Sequence, residues 1–277
     1  MSETFVSNGA RLSLTQRGTG LPVIFLHPTP IDHAYWLPLI DELAGVRAIL
    51  PDLRGHGKSQ LGESLPVGLF QRVPDAPALT MDQLATDTVA LLDHLQLSEA
   101  VFVGCSIGGY VMLELWRRAA ERMLGLGIIC SKPQPDLEAN LAKRTSTIAE
   151  ARNQGTAGIF DGMAQTLIGA TARQRRPAIE QELRSLMTIT PDALIAVQAG
   201  LATRPDSIPT VATITAPVFT LAGGEDPGVT PAEMDTYQAA PGGCEAHLLP
   251  DAGHYAAYEQ PQKVASLLAE WLRQLDT

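Results

Sequence analysis

The chain has 277 residues, 45% of them hydrophobic and 18% charged, and carries a net charge of −10. That length suits one large or two small domains and allows a sizeable core without disulfide staples. The acidic balance, with no block of basic residues, argues against nucleic acid and anionic membrane surfaces as partners, because nothing would neutralise phosphates. The first residues, Met1-Ser2-Glu3-Thr4-Phe5, form neither the positive nor the apolar segment of a signal peptide, and no apolar run approaches a membrane span. Three cysteines, Cys105, Cys130 and Cys244, are far apart and odd in number, unlike a disulfide framework or a zinc site. A reduced, cytoplasmic setting with no metal is the expectation.

Residues 3–17 alternate loosely and carry the hairpin signal Asn8-Gly9, which predicts two short antiparallel strands. Leu21 to Leu26 is a continuous apolar run, as in a strand buried on both faces, and it ends at His27-Pro28-Thr29-Pro30. Residues 35–44 suggest a short helix. Val46 to Leu50 predicts a strand running into a loop rich in glycine and charge, Pro51 to Ser59. Residues 60–79, with three prolines and two glycines, show no period and form a long surface excursion. Thr80-Met81-Asp82-Gln83 has the capping-box pattern, and Leu84, Thr88, Leu91, Leu92 and Leu95 supply the buried stripe of the helix it opens.

The next apolar run ends in Gly104-Cys105-Ser106-Ile107-Gly108, and a helical pattern follows at once to about Arg118. This is G-x-S-x-G between a strand and a helix, the context in which that motif places a serine on a sharp turn. Another strand spans Leu124 to Cys130. From there to about Pro209 the strand–helix alternation stops. Helices are predicted near 136–153, 156–168, 173–189 and 191–202, and no strand pattern appears. Strands return at Pro217 to Gly223 and Cys244 to Leu249. Thr230-Pro231-Ala232-Glu233 caps a helix between them, and a last amphipathic helix follows Pro261. The alternation defines an α/β domain with a parallel sheet covered on both faces, built from residues 1–130 and 210–277. Residues 131–209 are expected as a helical cap over one end of it.

Ligands of open α/β sheets bind beyond the carboxyl ends of the strands. Three of those ends offer Ser106, then Gly224-Glu225-Asp226-Pro227, then Gly253-His254, in the order serine, acid, histidine. A serine hydroxyl is a poor nucleophile at neutral pH and needs a base within reach, which His254 can be. A buried carboxylate fixes the imidazole tautomer, and Asp226 is preferred to Glu225 because its shorter side chain precedes Pro227. Glu114, Asp251 and Glu259 are weaker rivals. The developing oxyanion needs preformed donors: the Ile107 N–H is one, and the second falls to Thr29 because Pro28 has no N–H. Cys105 reads as packing. His56 reads as structural, His33, His94 and His247 as structural or solvated, and His27 either braces its loop or lines the site.

These stretches resemble the α/β-hydrolase superfamily, in particular its compact bacterial esterases, enol-lactonases and cofactor-free haloperoxidase-like members. The resemblance rests on Phe25-Leu26-His27-Pro28, Asp52 to Ser59, Gly104 to Gly109, Gly223 to Asp226 and Gly253-His254. It implies a mostly parallel eight-stranded sheet, a helical cap and hydrolysis of a small-molecule ester or lactone through an acyl-serine, without a cofactor. The same triad serves thioesterases, acyl transferases and C–C bond hydrolases, and non-catalytic binding members of the fold can keep it too. Dehalogenases and epoxide hydrolases of this fold place an aspartate where Ser106 stands. Two features depart from the group: His27-Pro28 replaces the usual His-Gly, and the 60–79 excursion is long enough to cover part of the entrance. Pocket candidates are His27, Pro28, Trp36, Met163, Leu167, Ile168 and Met187. Sparse charge in the cap suggests an apolar or weakly polar acyl group.

Overall fold

The computed structural model describes residues 3–275; residues 1, 2, 276 and 277, at the outer ends of the predicted core segments, lie outside the described residues. Eight strands form one sheet in the order β1-β2-β4-β3-β5-β6-β7-β8. Strands β1 (Glu3–Ser7) and β2 (Ala10–Arg17) make the expected antiparallel hairpin. Asn8 and Gly9 both take positive φ, 43° and 74°, as a two-residue turn matching the strand twist requires. β2 also pairs antiparallel with β4 (Val46–Pro51). The remaining pairings, through β3 (Leu21–Leu26), β5 (Ala100–Cys105), β6 (Met123–Ile129), β7 (Val218–Gly223) and β8 (Cys244–Leu249), are parallel.

The short helix α1 (Leu37–Ile40) follows a 3₁₀ turn over His33–Trp36. α2 (Met81–His94) and α3 (Ile107–Ala119) cover one face of the sheet. Between β6 and β7 come α4 (Glu138–Gln154), α5 (Ala157–Leu167), α6 (Ala170–Arg175), α7 (Ile179–Ser185), α8 (Pro191–Ala202) and α9 (Ile208–Val211). α10 (Pro231–Met234), α11 (Ala256–Glu259) and α12 (Pro261–Leu275) complete the chain. α12 packs with α1 on the face opposite α2 and α3. Its buried Val264, Leu268, Trp271 and Leu272 are worth roughly 1.5–3 kcal/mol per large side chain removed from water.

β5 lies at the centre and shows the pleat directly. Val101, Val103 and Cys105 enter one core cluster, while Ala100 and Phe102 enter the other. β3 pairs with β4 on one side and β5 on the other, so the sheet order reverses direction there. The carboxyl ends of β3 and β5 therefore flank the topological switch point, where α/β sheets bind ligands.

Some predicted elements differ in detail. The helix expected over 173–189 is two helices, broken at Arg176, whose φ of −133° and ψ of 79° leave the helical region. Pro177 is the cause: the residue before a proline is driven out of that region by the pyrrolidine ring. At α2, Thr80 accepts from the Gln83 N–H, but the Gln83 side chain turns to Asn8 and Asp87 instead of closing the box. At α10 both halves of the Thr230–Glu233 box are present, on a helix of one turn. The 60–79 excursion folds back on itself, with Ala78 N–H donating to Pro66 O, and docks on α8 through Leu79 N–H to Ala196 O.

Candidate active site

Ser106 joins β5 to α3 at φ 53° and ψ −115°, a conformation a side chain adopts only under constraint. Such strain costs on the order of 1–3 kcal/mol and persists when the surroundings over-determine it. Here its N–H donates to Ile129 O at 3.1 Å, and its carbonyl accepts from Gly109 N, Tyr110 N and Ser131 Oγ. The glycines of the motif are needed for space. A Cβ at Gly104 would strike the Gly108 backbone and Met112 Sδ, and one at Gly108 would strike the carbonyl of Leu26 in β3. Contact that close carries α3 directly against the neighbouring strand and aims its N-terminus at the switch point.

His254 follows β8 and Asp226 follows β7. His254 Nδ1 and Asp226 Oδ2 are 2.7 Å apart, and both residues are buried. The other carboxylate oxygen of Asp226 accepts from Gly228 N and Val229 N at 2.7 and 3.2 Å, which fixes its orientation. With Nδ1 committed to the carboxylate, Nε2 is the nitrogen left to act as a base. Burial alone would lower the pKa of His254; the Asp226 carboxylate, with Glu259 adding, outweighs it and holds the imidazole above its ordinary value. Ser106 and His254 line one cavity without a hydrogen bond between them, and such bonds often close only around bound substrate.

Glu225 faces elsewhere: it accepts from the N–H and hydroxyl of Thr171 in α6. Glu259 is buried and accepts from Gly169 N, Gly253 N and Tyr255 N, on both sides of His254 and in the helical segment. Burial pushes its pKa up against the pull of those three donors. His254 N–H donates to Leu167 O at 2.8 Å, so the histidine loop and α5 are joined through backbone as well. The bracing role of Glu259 is a tertiary fact; its position five residues after His254 marked it only as a rival acid.

Thr29 lies after β3 and lines the same cavity as Ser106. His56 Nδ1 lies 3.0 Å from the carbonyl of Arg54, an acceptor, so Nδ1 carries the hydrogen and Nε2 accepts from Thr29 Oγ1, also at 3.0 Å. Burial lowers the His56 pKa to about 4, consistent with this neutral tautomer. His27 is fixed the same way. Its Nε2 accepts from Leu53 N–H at 2.8 Å, so Nδ1 donates to Pro28 O, and burial brings its pKa to about 3. His27 therefore braces two loops and does not line the cavity. Cys105 is buried, accepting from Tyr35 O–H and facing the carbonyl of His254, and burial raises its thiol pKa far beyond reactivity.

The cavity that holds Ser106 and His254 measures about 440 Å³. Met163 and Leu167 line it; Pro28, Trp36, Ile168 and Met187 do not. Trp36 and Met187 are packed into the core, Trp36 with its ring against Phe25 and Tyr35. Ile168 is buried in the same core. No residue of 60–79 reaches the cavity wall. The sparse charge expected of the wall is also corrected: Lys132, Asp136, Lys143, Arg144, Glu150 and Arg204 all line it. Three of them sit on α4, whose polar face turns to the cavity. The period of 3.6 was readable there, but whether that face met solvent or a cavity was not.

Among the described residues, Asp32, His33 and Asp52 place ligand-type atoms close together; His33 Nδ1 and Asp52 Oδ1 are 2.6 Å apart, and Asp32 Oδ1 accepts from Ala34 N at 2.8 Å. No described helix is long and apolar enough to cross a membrane.

The model of the alpha/beta hydrolase family matches residues 23–267. With the fold and the strand–serine–helix geometry already in place, the chain belongs to that family. Its relatives there include esterases and enol-lactonases. A 3-oxoadipate enol-lactonase from Acinetobacter baylyi is 30% identical over 227 residues, 76% of this chain and 73% of that protein. The structure of a thermophilic esterase from Thermogutta terrifontis, with malate bound, matches at a TM-score of 0.88 and 29% identity over all of both chains. An enol-lactonase structure from Burkholderia xenovorans shares the fold at a TM-score of 0.84 and 23% identity, over 98% of this chain and 100% of that one.

Proposed function

We propose that the chain is a serine hydrolase that cleaves a small or medium carboxylic ester or lactone through an acyl-serine intermediate. The observation that carries this reading is the His254–Asp226 pair, 2.7 Å apart, opening onto the same cavity as Ser106 at its positive φ. Similarity to an esterase and to an enol-lactonase supports the bond type. Ser106 Oγ attacks the carbonyl carbon as His254 Nε2 takes its proton. Asp226 holds the tautomer and stabilises the imidazolium. The N–H groups of Ile107 and Thr29 receive the oxyanion. His254 then gives the proton to the departing oxygen, the C–O bond breaks, and the acyl group stays on Ser106. A water, deprotonated by His254, releases the acid and restores the serine. With a lactone the departing oxygen remains tethered to the acyl part, so one hydroxy acid or its keto form is the product. In this reading the helices between β6 and β7 form the cap, and α4 and α5 supply much of the cavity wall.

The test is hydrolysis of p-nitrophenyl butyrate. Wild type is expected to turn it over, and Ser106→Ala to lose on the order of 10³-fold or more in kcat, beyond the loss from removing one oxyanion donor. A mass shift from a slow acylating ester should fall on Ser106 alone. Equal rates in the two proteins would overturn the assignment.

A further inference from the structure

We propose that the acyl group accepted by this site carries a carboxylate, recognised by Lys143 together with Arg144 and Arg204; this deepens the ester or lactone reading and rests on it. Asn140, Lys143, Arg144 and Thr147 are spaced at i, i+3, i+4 and i+7 on α4, a single helix face, and all four line the cavity that holds Ser106. Arg144 pairs with Asp136 and donates to Gln198 Oε1 at 2.9 Å. Arg204 pairs with the same Asp136 at 2.8 Å and lies 4.2 Å over the Tyr110 ring. One carboxylate thus answers two guanidiniums, and Arg204 Nε and Nη1 stay without a partner.

Among the described residues the Lys143 ammonium has no hydrogen-bond or ion-pair partner, and its side chain is exposed at the wall. Three cations against one carboxylate leave two positive charges at this part of the cavity. Lys132 does not add to the excess, because it pairs with Glu233. The other carboxylate of the wall, Glu150, sits two helical turns beyond Lys143, about 10 Å along α4, too far to neutralise it by contact. The protein as a whole carries a net charge of −10, so an anion reaching the site meets repulsion elsewhere and attraction here. A carboxylate at Lys143 would make charge-assisted hydrogen bonds that a neutral acyl chain cannot.

The test compares kcat/KM for the mono-p-nitrophenyl esters of glutaric, adipic and suberic acids with p-nitrophenyl valerate, hexanoate and octanoate. The acid ester is expected to be favoured at one or more lengths. That ratio should fall at least about fivefold in Lys143→Glu, survive in Lys143→Arg, and shrink as salt is raised, because the lysine is solvent-exposed. Lys143 is exposed, so neither substitution threatens the fold. A neutral preference at every length, or a ratio unmoved by Lys143→Glu, would overturn the proposal. Calorimetric titration of adipate into Ser106→Ala separates this from failure of the hydrolase reading. Binding weakened by Lys143→Glu upholds the anion site even where no ester is turned over, and absence of binding overturns it.

Discussion

Ser106 is held at a positive φ by hydrogen bonds to both of its peptide groups, and His254 by a carboxylate, a backbone carbonyl and the loop that Glu259 ties down. Geometry of this kind makes the pH dependence predictable in sign. In the proposed mechanism His254 is the base and must be neutral; its pKa lies above its ordinary 6.5, so activity is expected to rise with pH through a midpoint above that value. A pH series of kcat/KM on a neutral ester checks this; a midpoint at or below 6.5 contradicts it. Glu259→Gln should move the midpoint down, because one of the charges that favour the imidazolium is gone. The same change leaves a buried N–H without a full acceptor at Gly169, Gly253 or Tyr255, at a cost of about 1–3 kcal/mol in urea unfolding. The candidate triad could be read from order alone, serine then acid then histidine, each after a strand. Glu259 could not, since its partners are backbone groups from two distant segments.

At the scale of elements, the hairpin, the buried strands and the amphipathic helices follow from local pattern, and the structure departs from that pattern where another local rule intervenes. Pro177 divides one expected helix into α6 and α7. Gln83 leaves its capping position because Asp87, one turn on, offers a buried acceptor. Contacts between elements are less legible. Gly200, in the last turn of α8, touches the carbonyl of Leu79 so closely that a Cβ there would overlap it. Gly200→Ala should therefore destabilise the protein by about 1–3 kcal/mol, although alanine is the better helix former. The outcome is read as a fall in the thermal midpoint of roughly 2–4 °C per kcal/mol. An unchanged or raised midpoint would mean that the excursion does not bear on α8.

Across the whole molecule, a buried ion pair links segments far apart in sequence. Arg54 donates to both oxygens of Asp87 at 2.8 and 2.6 Å and to the carbonyl of Ser7, while Ser7 Oγ donates to Asp87. The pair ties the first hairpin, the loop after β4 and α2 together on one side of the sheet. Arg54→Met should cost about 3–5 kcal/mol by stranding the Asp87 carboxylate, and adding Asp87→Leu should recover much of it. Urea unfolding of the two single variants and the double gives the coupling energy directly; additive losses would show that the two residues do not act as a pair. Arg54 and His56 thus serve the frame around the site.

The sequence by itself determined the alternating α/β order, the helical stretch between β6 and β7, and the turn on which Ser106 sits, because each is a local pattern of period, small residues and chain order. Only the tertiary structure decided what surrounds the serine. Trp36 and Met187 went into the core and Lys143, Arg144 and Arg204 came to the cavity. Periodicity tells which residues share a helix face, but what that face meets depends on how α4 and α8 pack over the sheet. That packing also sets the charge of the wall around Ser106, which the chain's composition, acidic overall, does not announce.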